Sequence, residues 1–457
     1  MPTLAPATTT FVSDEIGDQE DRVAIQLNGD DLIYCQSWNL EESILEQPAR
    51  WSVRMGFGDV AVDLYWAYPP NTPFQISIYE KPQLTGFLDG RRLRQQGNAG
   101  TELIVSGRDA LAEIQGAKIT TAQSFAGTSY QGMVQRVLEA VGLDPNKLGT
   151  NNDANRQSKV GASVPAGTPF AITDIVNATA NDLQTRPGEN WLEFLRRHLD
   201  RAGLFLWSAG DGTFVLGTPN FNQPPSYRLA RTATQDSGQT NILGHELNDD
   251  TTNRYSSYGI LARGGGRKHG RVKAVDNFID HEMQDDPPGG YGFDRPYYLV
   301  DHHSQSTEQV QYMARRKCAE DRRKGWFLEY SFAGHTLPYA DGNGSQRAVV
   351  IPDTTIDVQD DFLRISGTFY VETVKRRRDP GTITTIRLMR GEDLVFGEVK
   401  AKGTKSGPAA TPAQQQAAGT GLLNEVISTV FGQGVFPLPG SPAEVQDPGP
   451  RFPGVKP

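Results

Sequence analysis

Short strand-like runs, broken by turn residues, constrain this chain more than any other feature. Val23–Leu27, Ser52–Met55, Val60–Tyr65 and Gln75–Tyr79 are partly alternating and are separated by Gly, Asn-Gly or Pro clusters. Such spacing is typical of a small antiparallel barrel or sandwich. The 48 Gly and 29 Pro among 457 residues also favour β-structure with many turns over a helical bundle. We therefore predict a first β-barrel over residues 21–115, preceded by a flexible arm at residues 1–20.

The middle of the chain changes to helical periodicity. Apolar residues from Tyr130 to Val141 repeat at helical spacing, and Gly142 provides a stop. A second helix is predicted to begin near Asn190, with Glu193 as its capping partner. Leu204–Trp207 and Thr213–Leu216 then form a predicted hairpin around a Gly-Asp-Gly turn. Residues 116–235 are therefore predicted to be an α+β helix-and-hairpin module.

Strand patterns return from about residue 240. The predicted strands lie at 255–261, 327–330, 368–371 and 384–388, and a helix is predicted near 306–323. The Gly- and Pro-containing stretch 264–291 is predicted to be a long loop. We assign residues 236–400 to a second β-barrel with this inserted loop and helix. Residues 401–457 have the composition of a linker and Pro-rich tail, and contain a candidate docking stripe of Leu422, Val426, Ile427 and Val430.

Two hairpins suggest an internal duplication. Phe87–Asp109 and Gly367–Asp393 both run through a strand, a basic turn and a second strand, and both continue with Gly and charged residues. One interpretation is that a single β-module occurs twice. The other is chance similarity between two charged hairpins.

Charge and cysteine content exclude several classes of protein. The net charge of -9 is opposite in sign to that of a dedicated DNA binder. An acidic surface would suit a conduit that nucleic acid passes without sticking, but ordinary solubility is the preferred explanation, so the charge alone decides nothing. No apolar run reaches the roughly 18 residues of a membrane span. The start lacks the features of a signal peptide, so the chain is expected to stay in the cytoplasm where it is made. Two cysteines, Cys35 and Cys318, cannot form a disulfide framework or a zinc site.

The catalytic motifs that appear in the sequence are all incomplete. His245-Glu246 lacks the second histidine of a metalloprotease helix, since position 249 is Asp. Gly264–Gly270 lacks the end of a phosphate-binding loop. His302 and His303 are adjacent and so point apart on a strand, while the pairs Asp249-Asp250 and Asp360-Asp361 are interpreted as exposed turn acids. The sequence therefore predicts no catalytic, cofactor-binding or metal-binding residue, and no enzyme.

Three segments, taken in order, resemble a known family. They are Val105–Leu111 after the first hairpin, Gly188–Leu195 at the second helix, and Leu328–Pro338 before the closing strands. In this order the segments resemble the baseplate hub family of contractile tails. The family includes the phage Mu hub type, the late control D proteins and, more distantly, the first half of VgrG. The resemblance spans roughly residues 20–395.

This resemblance implies an α+β, mainly β fold with two similar small antiparallel β-barrels and helix-and-hairpin modules in a hub-type trimeric ring. The ring would join the sixfold tail tube to the threefold central spike within the virion tail baseplate. Expected partners are two further copies of the chain, the tail tube protein, the central spike protein and other baseplate proteins, with DNA passing through unbound. The main alternative is a β-rich carbohydrate-binding or carbohydrate-degrading tail protein. A secretion-system spike component would carry a long β-repeat after the hub, and the short linker here argues against it.

Overall fold

The computed structural model describes most of the chain between residues 23 and 393. The described ranges are 23–32, 35–55, 59–95, 101–150, 184–219, 221, 223–231, 242–262, 275–284, 290–301, 307–340, 347–379 and 381–393. The expected arm at 1–20, the loop Gly264–Gly270, the pair His302-His303 and the expected tail at 401–457 lie outside them. The mainly β, α+β character predicted from the sequence is confirmed.

Strands dominate the described residues. They are β1 (Val23–Leu27), β2 (Asp30–Asp31), β3 (Cys35–Ser43), β4 (Arg50–Met55), β5 (Pro73–Ile78), β6 (Lys81–Gln95), β7 (Thr101–Asp109), β8 (Leu148–Thr150), β9 (Phe205–Ser208), β10 (Phe214–Gly217), β11 (Tyr227–Arg231), β12 (Ile242–Asp249), β13 (Ser257–Ala262), β14 (Val275–Ile279), β15 (Pro296–Asp301), β16 (Trp326–Ala333), β17 (Thr336–Pro338), β18 (Arg347–Val349), β19 (Thr354–Asp360), β20 (Ile365–Arg378) and β21 (Thr382–Met389). The α-helices are α1 (Asp59–Ala67), α2 (Leu111–Gly116), α3 (Tyr130–Ala140), α4 (Trp191–Ala202), α5 (His281–Gln284) and α6 (Thr307–Gly325).

Thirteen strands form one sheet in place of two separate barrels. Its main path runs β12-β16-β21-β20-β3-β4-β7-β6-β5-β1-β2, with β19 and β11 added beside β20. The described strands do not close into a barrel, which corrects the expectation of two barrels. The reason is that β3 and β20, from opposite ends of the chain, pair with each other and join both halves into one sheet.

The sheet contains the same strand arrangement twice. We call β1 and β3–β7 the first module, and β11, β12, β16 and β19–β21 the second module. The spatial order of strands is β3-β4-β7-β6-β5-β1 in the first module and β12-β16-β21-β20-β19-β11 in the second. Equivalent strands also follow one another in the same order along the chain. The outermost pair differs, because β1 is antiparallel to β5 whereas β11 is parallel to β19. Both predicted hairpins are confirmed, as β6–β7 and β20–β21, and they occupy equivalent places.

Irregular features recur at equivalent positions as well. The register of β6 against β7 shifts between Leu88 and Gly90, and that of β20 against β21 shifts between Val371 and Thr373. The register of β3 against β4 shifts between Cys35 and Ser37. The register of β12 against β16 shifts between Ile242 and Gly244. Bulges are specific features of a strand pair, so four matching shifts support a duplicated module over chance similarity.

A turn before β5 is repeated before β19. The sequences are Pro70-Asn71-Thr72 and Pro352-Asp353-Thr354, and Asn71 and Asp353 have φ values of 69° and 62°. Each of these residues donates its N–H to the long strand of its module, to the Leu88 carbonyl at 2.7 Å and the Val371 carbonyl at 3.1 Å. Each following threonine hydroxyl donates to the carbonyl three residues earlier, at 2.5 Å and 2.6 Å. The same local chemistry therefore starts both strands.

Two smaller layers accompany the sheet. Helices α2, α3 and α4 share a core with β9 and β10, in which Phe194, Leu195 and Val137 are buried. The predicted start of α4 is confirmed, because Asn190 and Glu193 form a reciprocal capping box, and Gly203 ends the helix with a left-handed φ of 69°. Helix α6 covers one face of the β14-β13-β15 sheet, with Val310, Ala314 and Cys318 buried against it, as the helical spacing predicted.

Three predictions of local structure are wrong. Val60–Tyr65 lies in helix α1 and not in a strand, since Ala61, Leu64 and Tyr65 pack at helical spacing against the core of the first module. The stretch 264–291 contains strand β14 and the one-turn helix α5 and is not loop throughout. The basic residues assigned to hairpin turns extend strands β6 and β20 to Gln95 and Arg378, because pairing across the sheet outweighs their turn-like composition.

The left-handed residue before β5 provides a test of this turn. Asn71→Val places a β-branched side chain at positive φ, so we expect the free energy of unfolding to fall by about 1–2 kcal/mol. Asn71→Gly relieves the same steric demand and is expected to unfold like the wild type in chemical denaturation. Asn39→Val, at an exposed position of β3, is the matched control, and a loss there as large as at position 71 would contradict the explanation.

Candidate assembly interface

The two modules meet where β3 pairs with β20. The strands are antiparallel, and the register places Ser43 opposite Thr373, Leu40 opposite Arg376 and Trp38 opposite Arg378. Only the second half of β20 is used, because its first half pairs with β19 on the same side. We call this contact the internal junction.

A fully buried arginine lies at the centre of the internal junction. Arg376 has an exposed fraction of 0%, and one of its terminal nitrogens contacts the Glu42 carboxylate. The other donates to Gln83 Oε1 at 3.1 Å and to the carbonyl of Val350. Burying a charge is costly unless it is paired and hydrogen-bonded. Glu42 and Gln83 belong to the first module, and Val350 precedes β19 of the second module. The terminal nitrogens of Arg376 therefore find these acceptors only when the two modules meet, while its Nε has no hydrogen-bond partner among the described residues.

His335 lies beside this arginine and stays neutral. Its ring packs against Trp38 of the first module, with ring centroids 5.3 Å apart. Thr384 donates its hydroxyl to the Gly334 carbonyl at 2.7 Å, so it accepts from His335 Nδ1 at 2.9 Å. Nε2 of His335 has no hydrogen-bond partner among the described residues. Burial, together with the nearby positive charge of Arg376, lowers the pKa of His335 to about 3.

Charges at the surface of the internal junction are complementary. Lys375 lies directly opposite Glu41 in the register, and Lys375 Nζ is 3.3 Å from Glu41 Oε1. β20 therefore presents a basic run to an acidic stretch of β3. Such cross-strand pairs stabilise one register over its alternatives.

Strand β12 of the second module is equivalent to β3, and β6 of the first module is equivalent to β20. Both β12 and β6 carry unpaired edges. Within the described part of the chain, no strand pairs with β12 on the side away from β16, and none pairs with Gly90–Gln95 on the side away from β7. Leu247 on β12 and Leu93 on β6 are 42% and 39% exposed, whereas Leu40 and Arg376 at the internal junction are both 0% exposed. The β6 edge carries Arg91, Arg92 and Arg94, and the β12 edge and the residue after it carry Glu246, Asp249 and Asp250.

Of the residues considered for catalysis, those that the structure describes are not brought together as a site. His245 and Glu246 lie on β12, with the His245 ring beside Arg231. Asp301 is buried, and its carboxylate is 3.7 Å from the guanidinium of Arg201. Among the described residues, no three His, Cys, Asp or Glu side chains are grouped so that they can hold a metal ion.

In the pair Asp360-Asp361, Asp361 is exposed as predicted, but Asp360 is not. Asp360 is buried at the end of β19, where it accepts a hydrogen bond from the Tyr330 hydroxyl at 3.0 Å. It also accepts from the N–H groups of Phe362 and Leu363 at 2.9 and 3.0 Å. Asp360 therefore holds the turn between β19 and β20, which is a structural role.

The two cysteines are free, as predicted. Burial raises the pKa of the Cys35 thiol to about 11, and the pKa of the fully buried Cys318 also lies above its ordinary value. Both remain protonated near neutral pH, which suppresses their reactivity. No helix within the described ranges is long and apolar enough to cross a membrane.

Sequence reasoning missed the internal junction. The composition of the basic run Val374–Arg378 predicts a turn, and a turn needs no partner strand. The available signal was the acidic pair Glu41-Glu42 on a predicted β-rich segment, whose charge complements that run. Charge complementarity between distant strands does not by itself fix a register, which is why the pairing was not predicted.

Comparison with solved structures places this fold among phage tail proteins. The tail protein from Neisseria meningitidis MC58 superposes with a TM-score of 0.61 at 18% identity, covering 82% of this chain and 98% of that one. The 43 kDa tail protein of prophage MuSo2 from Shewanella oneidensis gives a TM-score of 0.60 at 16% identity, covering 82% of this chain and 100% of its own. No protein-family model and no curated protein matches the sequence. The chain therefore shares the fold of these two tail proteins.

Removing the buried guanidinium tests its role at the internal junction. Arg376→Met leaves Glu42 and Gln83 without their partner, so we expect the free energy of unfolding to fall by about 3 kcal/mol. Arg377→Met, one residue along the same strand at an exposed position, is the matched control and is expected to change it by less than about 0.5 kcal/mol. Equal losses for both variants in chemical denaturation would contradict the assignment.

Acidification tests the neutral His335. Its folded-state pKa lies below the ordinary value of 6.5, so its contribution to stability is fully present above pH 6.5 and is lost as the pH falls towards 3. This group accounts for about 4 kcal/mol of that loss. We expect His335→Asn to make the free energy of unfolding less steep with pH over this interval. His245→Asn, at an exposed histidine, should keep the wild-type slope, and an unchanged slope for His335→Asn would refute the role.

Proposed function

We propose that this chain is the structural baseplate hub of a phage-type contractile tail. In this proposal three copies form a trimeric ring that joins the sixfold tail tube to the threefold central spike. The fold shared with two phage tail proteins and the resemblance of three ordered segments to the hub family support the assignment. The role is structural and not catalytic.

The observation that carries the proposal is the duplicated module. A trimer of ordinary subunits offers three equivalent positions, whereas three chains with two equivalent modules each offer six. The internal junction joins two modules within a chain, and two further edges of the same kind remain for contacts between chains. A closed ring satisfies those edges.

The remaining parts of the proposal concern partners and location. The tail tube protein, the central spike protein and other baseplate proteins would contact the ring in the virion tail baseplate, after synthesis in the host cytoplasm. DNA would pass through the channel without specific binding, which the net charge of -9 favours because acidic surfaces repel phosphate. We retain, as part of the proposal, the division into residues 1–20, 21–115, 116–235, 236–400 and 401–457.

The mass of the purified protein in solution tests the ring. Three copies of a 50.1 kDa chain weigh 150.3 kDa, and multi-angle light scattering is expected to approach this value as the protein concentration rises. A two-fold assembly would instead approach 100.2 kDa, twice the 50.1 kDa of one chain, and would contradict a trimeric hub.

A further inference from the structure

We infer that β12 of one copy adds as a strand to the Gly90–Gln95 edge of β6 in the next copy. The two strands run antiparallel, and Leu247 lies opposite Leu93. This inference rests on the ring of the proposed function and adds to it a specific surface, an occupant and a register. The occupant of each edge is a second copy of this chain.

Matching bulges fix which residues are equivalent. Gly90 and Thr373 each follow the register shift in the long strand of their module, so Leu93 is equivalent to Arg376. Ser37 and Gly244 each follow the register shift in β3 and β12, so Leu247 is equivalent to Leu40. Arg376 and Leu40 are directly opposite at the internal junction. The same contact made between copies therefore places Leu93 opposite Leu247.

The equivalence of Leu93 with Arg376 and that of Leu247 with Leu40 come from different strand pairs, and the strands between them agree. The bulges in β3 and β12 make Met55 equivalent to Phe332. The bulges in β6 and β20 make Leu103 equivalent to Thr384. Met55 is in fact paired with Leu103, and Phe332 with Thr384. The equivalence is therefore consistent across β3, β4, β7 and β6 of the first module and β12, β16, β21 and β20 of the second.

The register that results is chemically complementary. It brings together the two exposed leucines, each next to the core of its own module, since Leu93 is paired with Leu103 and Leu247 with Leu328, both fully buried. On the other face of the sheet it places Arg94 opposite Glu246, where the equivalent residues of the internal junction are Arg377 and Asn39. Within one copy Arg94 already lies 3.8 Å from Glu102, so Glu246 of the neighbour would join an existing ion pair.

A second pair of opposite charge occurs in this register. Arg91 falls opposite Asp249, whose carboxylate accepts a hydrogen bond from the Tyr291 hydroxyl at 2.7 Å. Arg91 is itself held by the C-terminal end of α1, where it donates to the Tyr68 carbonyl at 3.0 Å and its guanidinium lies 4.3 Å from the centre of the Tyr65 ring. These contacts fix Arg91 in place beside the edge.

Like charges disfavour pairing of identical edges. Two β6 edges would bring arginines against arginines, and two β12 edges would bring carboxylates against carboxylates, which destabilises cross-strand pairs. The favoured contact is therefore heterologous, between different edges of neighbouring copies. Heterologous contacts produce either a closed ring or an open filament, and only the ring leaves no edge unpaired.

Disulfide trapping in the full chain tests the register. Directly opposite residues of an antiparallel pair have Cα atoms about 4.5–5.5 Å apart, within the range that a disulfide needs. We expect Leu93→Cys/Leu247→Cys, under mild oxidation, to give covalent dimers and trimers on a non-reducing gel. Leu93→Cys alone and Leu247→Cys alone control for the native Cys35 and Cys318, and should stay monomeric on the gel. Leu93→Cys/Glu246→Cys places the second thiol on the other face of the sheet, and should cross-link about tenfold less.

The outcomes separate this inference from the proposed function. A 150.3 kDa particle, three times 50.1 kDa, that does not cross-link through positions 93 and 247 would overturn the register and leave the ring. A 50.1 kDa monomer at every concentration, without cross-links, would overturn both. Cross-linked chains extending well beyond trimers would support the strand pairing and contradict the trimeric ring. Cross-linking by Leu93→Cys alone would show that identical edges meet, which overturns the heterologous contact.

Charge exchange provides a second test that needs no new cysteine. Arg94→Glu and Glu246→Arg should each raise the concentration at which copies associate, by about tenfold, and the double variant should restore association. Arg92→Glu is the matched control on the same strand and face, because the register places Arg92 opposite the neutral Asn248. Sedimentation velocity measures association in each variant. Failure of the double variant to recover, with all variants folded by circular dichroism, would contradict the Arg94–Glu246 pair.

Discussion

The burial of one positive charge between two modules is the constraint on which the rest of this structure depends. Arg376 is fully excluded from solvent, and its partner Glu42 is 334 residues away in the chain. A buried guanidinium is costly unless its charge is paired, and here the two terminal nitrogens contact the Glu42 carboxylate, Gln83 Oε1 and the Val350 carbonyl. Because its acceptors come from both modules, the modules have one relative register in which this charge is paired. Neutral His335 and the ring of Trp38 complete the packing around it.

This constraint explains why the two halves form one sheet. A small barrel satisfies its own strand edges by closing, but here the second half of β20 takes β3 as its neighbour. Each module therefore has two strand edges that its own strands do not pair. Within one chain, the edge of β3 pairs with the edge of β20, and the edges of β12 and β6 stay unpaired among the described residues. Of these two unpaired edges, the β6 edge is basic and the β12 edge is acidic. An edge that repels its own copy and attracts a different edge directs association towards heterologous contacts.

Local signals allowed much of the fold to be predicted from the sequence. The capping box of α4, its left-handed Gly203 and the spacing of its apolar face involve residues within a few positions of one another, so the helix was predicted with its correct start. Both long hairpins were predicted for the same reason. The alternating valines of Val60–Tyr65 predict a strand, whereas Ala61, Leu64 and Tyr65 pack against the first module's core as a helix. The Pro-Asn-Thr and Pro-Asp-Thr turns are a further sequence signal of the duplication.

The sequence by itself determined the β-rich character, the hairpins, the capped helices and the failure of each catalytic motif, since all of these depend on short-range patterns. Only the tertiary structure decided that β3 pairs with β20, that Arg376 is buried, and that Leu93 and Leu247 lie on unpaired edges. The physical reason is that strand pairing between distant segments leaves no periodicity in either segment. A basic run such as Val374–Arg378 reads as a solvated turn until its partner strand is known, and the burial of its central residue is a property of the assembled sheet.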